Sequence, residues 1–217
     1  MARNKHPEET VQKILDVSMA LFLEKGYEHT TIQDIVDALG MSKGAVYHHF
    51  KSKEDIYDRI SDTYYERLGW TKDLTSLPGE NGLEKIRNLL RFLLTDQEKL
   101  TLDRACATIS LNPKLVTLTL ESSIRDAAPL LEQLIREGNA DGSLHVAQPR
   151  ETAEAFMILM NMWVGIFTSS KEDFQAKLTF FQDFCARQGL PIFNAQVCDA
   201  ALTYYDRITA VQSSSGV

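Results

Sequence analysis

The 217-residue sequence has little that could hold a metal, a disulfide framework or a membrane span. Its three cysteines, Cys106, Cys185 and Cys198, are odd in number and lack metal-ligand spacing. They read as small hydrophobes of a reduced, cytoplasmic protein, and neither a metal nor a cofactor is expected. The longest apolar stretch, Phe156 to Phe167, is interrupted by Asn161 and Gly165 and is too short to cross a bilayer. The polar start, MARNKHPEET, has no signal-type apolar core. Strand-like alternation is missing as well, so the chain is expected to be all-α.

An excess of positive charge is also absent, since the net charge is -7. Its distribution matters more than its sum. Residues 1–53 hold seven Lys/Arg and seven Asp/Glu, so the acidic excess lies in residues 54–217. From Ala38 to Lys53 there is no acid, while Lys43, Lys51 and Lys53 fall together with His48 and His49. A small basic surface on an acidic body is what contact with phosphate requires.

Helical periodicity fills the rest. A first helix opens near Pro7, carries the apolar stripe Val11, Ile14, Leu15, Ser18, Leu21 and Phe22, and stops at Gly26. A second starts at Thr31, with Asp34 three residues on as its capping partner, and ends at Leu39-Gly40. The third runs from Ser42 through Tyr47-His48-His49-Phe50. A fourth begins at Ser52, again with an acid three residues on, and continues to about Trp70. After a loop at Asp73 to Gly82, helices are expected over about 83–98, 101–111, 114–137, 150–168, 172–188 and 194–211. The division expected is a domain over 1–53, a linking helix over about 53–72, and a second domain over 54–217.

Residues 31–50 meet each demand of a helix-turn-helix. Ile35, Val36 and Leu39 give the bracing helix its buried side, Gly40 makes the turn, and Val46 anchors the second helix. The rest of that helix shows short or donor-rich side chains. Gly44 and Ala45 permit close approach to DNA, and the Ala45 methyl can meet a thymine methyl. Lys43 can reach a guanine edge or a phosphate, and Tyr47, His48, His49 and Lys53 are candidate phosphate donors. Thr31 and Ser42 place hydroxyl and backbone N–H groups where an anion is favoured. His48 and His49 are adjacent and point in different directions on a helix, which argues against a metal pair.

These residues resemble the TetR (tetracycline-repressor) family: Phe22-Leu23-Glu24-Lys25-Gly26-Tyr27, Thr30 to Val36, and the run Gly40 to Glu54 with its Ser42-Lys43-Gly44, Tyr47, His49-Phe50 and Lys53. His48 stands where the family usually has an aromatic residue. The resemblance covers about a quarter of the chain. It implies an N-terminal domain of three helices joined by a long fourth helix to a C-terminal ligand-binding and dimerisation domain. It also implies a homodimeric repressor that fits a double-stranded, pseudo-palindromic operator and is released by a small-molecule effector.

Within the later helices, Tyr64, Tyr65, Trp70, Cys106, Thr108, Asn161 and Trp163 are polar or amphipathic groups among apolar ones, as in a ligand pocket. Core or interface packing explains each of them singly more simply than ligand contact does. Phe156, Leu159, Met160, Trp163 and Phe167 form one helical stripe, and Phe174, Leu178, Phe181 and Cys185 another. The two could meet their symmetry mates as a four-helix bundle or fill a monomer core. Two other classes fit the composition. A helical enzyme would need a nucleophile-base pair, and none is visible at motif level. A ligand-binding or scaffold protein without DNA binding would retain no duplex in a selection.

Overall fold

The structure, a computed structural model, describes residues 7–105 and 112–210, with no strand among them. In order along the chain, the described α-helices are α1 (Pro7–Lys25), α2 (Ile32–Leu39), α3 (Lys43–His49), α4 (Lys53–Arg67), α5 (Gly82–Thr95), α6 (Gln97–Ala105), α7 (Pro113–Ser122), α8 (Ala128–Asp141), α9 (Pro149–Ile158), α10 (Lys171–Arg187) and α11 (Ala195–Thr209). The chain divides into two compact units. One runs to Arg67 and includes 101–105; the other covers Leu68 to Leu100 and the chain from 112 onward. All of α4 thus belongs to the first unit, whereas the sequence placed a division at residue 53.

In the first unit, Ile14 and Leu15 of α1 close over Ile35, Val36 and Leu39 of α2, together with Val46, Phe50 and Ile56. Each of these side chains is almost wholly removed from water. Burial of one such group contributes roughly 1.5–3 kcal/mol, enough in sum to hold four helices whose exposed faces are polar. Glycine at Gly26 (φ 83°) and Gly40 (φ 63°) supplies the left-handed backbone that ends α1 and α2. The fourth helix stops at Arg67, short of Trp70, and Gly69–Thr71 tightens into a 3₁₀ turn.

In the second unit, a core from Leu74 to Ala201 is built chiefly on α5, α8, α9, α10 and α11. The loop expected at Asp73 to Gly82 buries Leu74 and Leu77 and contains the 3₁₀ turn Leu74–Ser76. α8 runs to Asp141, past Gly138, whereas the sequence reading ended this helix at about residue 137. Gly138 has another role: a Cβ on Gly82 would collide with its backbone, so the glycines let α5 and α8 touch. Asp141 then accepts the Gly82 N–H at 2.8 Å and caps α5 from 59 residues away.

The helix expected over 114–137 is continuous but widens into a π turn at Ser123–Ala127, before α8. Pro129 explains this, because it has no N–H to give the carbonyl of Arg125 four residues earlier. α9 likewise continues into a π segment, Leu159–Ile166. Asn161 on that segment donates to the Ser123 hydroxyl at 2.8 Å, and Ser123 donates to the Thr119 carbonyl at 2.6 Å. The two widened turns are therefore tied by a buried polar chain.

Candidate nucleic-acid interface

Local hydrogen bonds define the start of each helix of the helix-turn-helix. Asp34 N–H donates to the Thr31 hydroxyl at 3.1 Å, and the Asp34 carboxylate accepts the Thr31 N–H at 2.8 Å. The hydroxyl hydrogen of Thr31 also goes to Asp34, at 2.6 Å. These bonds, with a smaller contribution from the Lys25 ammonium 3.0 Å away, hold the Asp34 carboxyl well below the usual carboxylate range. They also correct an expectation. Both donors that Thr31 was to offer an anion are already taken by Asp34.

Ser42 differs. Its Oγ accepts the Ala45 N–H at 3.2 Å, and its side chain is exposed with its hydroxyl hydrogen still to give. From this cap α3 shows one buried residue, Val46, at 0% exposure. Lys43, Gly44, Tyr47 and His48 are exposed, while Ala45 and His49 are half-buried. Lys43 Nζ lies 5.7 Å from the centre of the Tyr47 ring, so the cation and the phenol share one outward face. The His48 and His49 rings meet edge to face at 5.1 Å, and no cluster among the described residues could hold a metal ion. Phe50, 7% exposed, plugs the core behind α3.

Lys53 is placed otherwise than the sequence suggested. Its Nζ donates to the Tyr27 carbonyl at 2.6 Å and sits 4.2 Å from the centre of the Tyr27 ring. Sequence reasoning also missed Thr30, buried at 1% exposure, whose hydroxyl donates to the Gly26 carbonyl at 2.9 Å and the Leu21 carbonyl at 3.2 Å. The Thr30-Thr31 doublet held the signal: the first threonine closes α1 and the second opens α2.

A single short helix, braced by a second across a glycine turn and free of acidic side chains, has the form of a helix-turn-helix. A sequence model described as "Bacterial regulatory proteins, tetR family" matches residues 14–60, the stretch that builds it. Over these residues the chain is similar to the TetR family. The HTH-type transcriptional repressor KstR2 of Rhodococcus jostii is 32% identical over 98 residues, 45% of this chain and 46% of that one. The HTH-type transcriptional regulator AcrR of Shigella flexneri is 39% identical over 71 residues, 32% of this chain and 33% of that one. The chain thus matches less than half the length of these curated relatives. A TetR-family transcriptional regulator from Pectobacterium atrosepticum extends the likeness as fold alone, with a TM-score of 0.60 at 18% identity over 87% of this chain and 98% of that one.

The remaining candidates scatter. Tyr64 and Tyr65 stand edge to face at 5.0 Å on α4 in the first unit, while Trp70, Asn161 and Trp163 belong to the second. Cys106 and Thr108 lie outside the described residues. Four of the dimer candidates are not available to a second chain: Phe156, Phe174, Leu178 and Phe181 are inside the core of the second unit. Leu159, Met160 and Trp163 are half-buried at its edge. Of these candidates Phe167 is 55% exposed; Phe180, which the sequence reading did not name, is 59% exposed and packs against Trp163 at 5.5 Å. The signal was faint, because Phe180 and Phe181 are neighbours and periodicity must choose between them.

No helix of the described residues is long and apolar enough to cross a membrane. Burial pushes the Cys185 thiol up to about 12, so it is neutral and inert near pH 7.

Proposed function

We propose that the protein is a ligand-responsive transcriptional repressor that binds a pseudo-palindromic operator as a homodimer. The observation that carries the reading is the outward face of α3, where Lys43, Gly44, Tyr47 and His48 surround a single buried anchor, Val46. Lys43 and Ala45 are the base-reading residues; Gly44 permits close approach of the backbone. Ser42, Tyr47, His48 and His49 hold phosphates. KstR2 of Rhodococcus jostii, matched over 98 residues, is by name a transcriptional repressor, which supports the direction of regulation.

The dimer face consists of Trp163, Phe167, Phe180 and Phe184. Phe167 and Phe180 are the large apolar side chains that the second unit leaves most exposed, and Phe180 stacks on Phe184 at 6.4 Å. Effector binding belongs to the neighbourhood of Asn161 and Trp163. Residues 155–167 contain no charged side chain, and Asn161 places a carboxamide among them. An effector that favours the non-binding arrangement by about 1.4 kcal/mol lowers operator affinity tenfold.

Selection of bound fragments from random duplexes tests the reading. A recovered site made of two inverted half-sites about one helical turn apart is the expected result. Recovery of no duplex at all would leave a binding or scaffold protein on the same fold.

A further inference from the structure

We propose that Lys53 is a positioning residue of the DNA-binding unit, clasping the α1–α2 connection to the start of α4, and does not neutralise a phosphate. This inference rests on the DNA-binding reading of α3. The Lys53 ammonium has the Tyr27 carbonyl at 2.6 Å and the Glu28 carbonyl at 3.5 Å, and the face of the Tyr27 ring at 4.2 Å. An oxygen on one side and a π-face on the other replace much of its water. Lys43 has no such seat; it is exposed beside an exposed tyrosine.

The seat is itself rigid. Tyr27 is 1% exposed and packs on Phe22 at 5.0 Å and on Tyr57 of α4 at 5.9 Å. Its carbonyl also accepts the Thr30 N–H at 3.2 Å, immediately before the Thr31 cap of α2. This carbonyl lies just beyond the negative end of the α1 dipole, where a cation is favoured. Lys53, 26 residues further on, thus ties the end of α1, the entry to α2 and the first turn of α4 into one body. Since α2 braces α3, the clasp fixes how the reading helix stands relative to α4. A lysine that swung out to a phosphate would lose both partners.

Two measurements test this. In the DNA-free protein, an amine-acylating reagent read by mass spectrometry should modify Lys53 much more slowly than Lys43, and added duplex should protect Lys43 alone. Lys53→Met should weaken binding to a selected duplex about tenfold while leaving the slope of log K against log salt unchanged, and Lys53→Arg should restore affinity by reaching the same carbonyl. A slope smaller by about 0.9 in Lys53→Met would mark one lost phosphate contact and overturn the proposal. Wild-type affinity in Lys53→Met overturns it as well. So does a Lys53 that reacts as fast as Lys43 without DNA and is shielded by it. If the methionine variant does not fold, the wild-type footprint decides. Should wild type retain no duplex, the repressor reading falls while the DNA-free footprint still reads the clasp.

Discussion

The short helix α3, proposed to read DNA, and the long helix α10 place their aromatic residues in different ways. α3 is seven residues long, buries Val46 alone, and leaves Tyr47 43% exposed beside it. α10 is seventeen residues long and buries Phe174, Leu178, Phe181 and Cys185, while Phe180 remains 59% exposed. In the short helix a single inward residue sets the orientation, so the rest of the surface follows from it. In the long helix several aromatic residues compete for the inside, and packing against Phe156 and Phe193 decides in favour of Phe181. Neighbouring residues on a helix differ by about a hundred degrees, so one position separates a core residue from a surface one.

The largest expected effect breaks the α10 side of this comparison. Phe181→Glu puts a carboxylate at a position with 0% exposure and removes three ring contacts, so it should cost about 3 kcal/mol or more and give insoluble or unfolded protein. Phe180→Glu should keep the thermal midpoint within a few degrees and turn a sedimenting dimer into a soluble monomer. A Phe180→Glu protein that sediments like wild type removes the outer face of α10 from the dimer. A well-folded Phe181→Glu would contradict the core itself.

The α3 side can be sharpened in the same manner. Val46→Asp buries a charge without a partner and should unfold the first unit, with loss of its helical signal. Ala45→Asp lies at a half-buried position on the DNA side and should melt near the wild-type temperature. Its affinity for a selected duplex should nevertheless fall by roughly 1–3 kcal/mol or more, through a carboxylate set against the bases. Intact specific binding by Ala45→Asp would show that residues 42–49 are not the reading helix.

The contrast also explains what was legible in the sequence. Caps, glycine turns and the Val46 anchor act over three or four residues, so Thr31 with Asp34, Gly40 and Ser42 announce the helix-turn-helix directly. Contacts over long separations leave no such mark. The Lys53 clasp spans 26 residues, the Asp141 cap on α5 spans 59, and the Asn161–Ser123 bond spans 38. Gly138 read as a stop because its use, the approach of α5, is invisible along α8. Whether an apolar stripe faces its own core or a second chain depends on the volume already filled behind it, which periodicity does not record.

The smallest effect concerns the cap that makes the first unit so readable. Thr31→Ala removes the acceptor of the Asp34 N–H and should cost about 1 kcal/mol, a shift on the order of 5 °C if the first unit melts by itself. Asp34→Asn separates the charge from the geometry. Because hydrogen bonds from Thr31, aided by Lys25, depress the Asp34 carboxyl in the folded state, its contribution is fully present above the ordinary aspartate value of about 3.9. That contribution is lost as pH falls from there through the lower folded value. Wild type should therefore melt above Asp34→Asn at pH 7, and the gap should close steadily below about pH 4. Lys25→Met should reduce the gap only partly, since the Thr31 bonds remain and are the larger cause. A gap that stays constant between pH 7 and pH 3 would mean that Asp34 acts through shape alone, and the reading helix would then owe its bracing to burial of Ile35, Val36 and Leu39 with no electrostatic share.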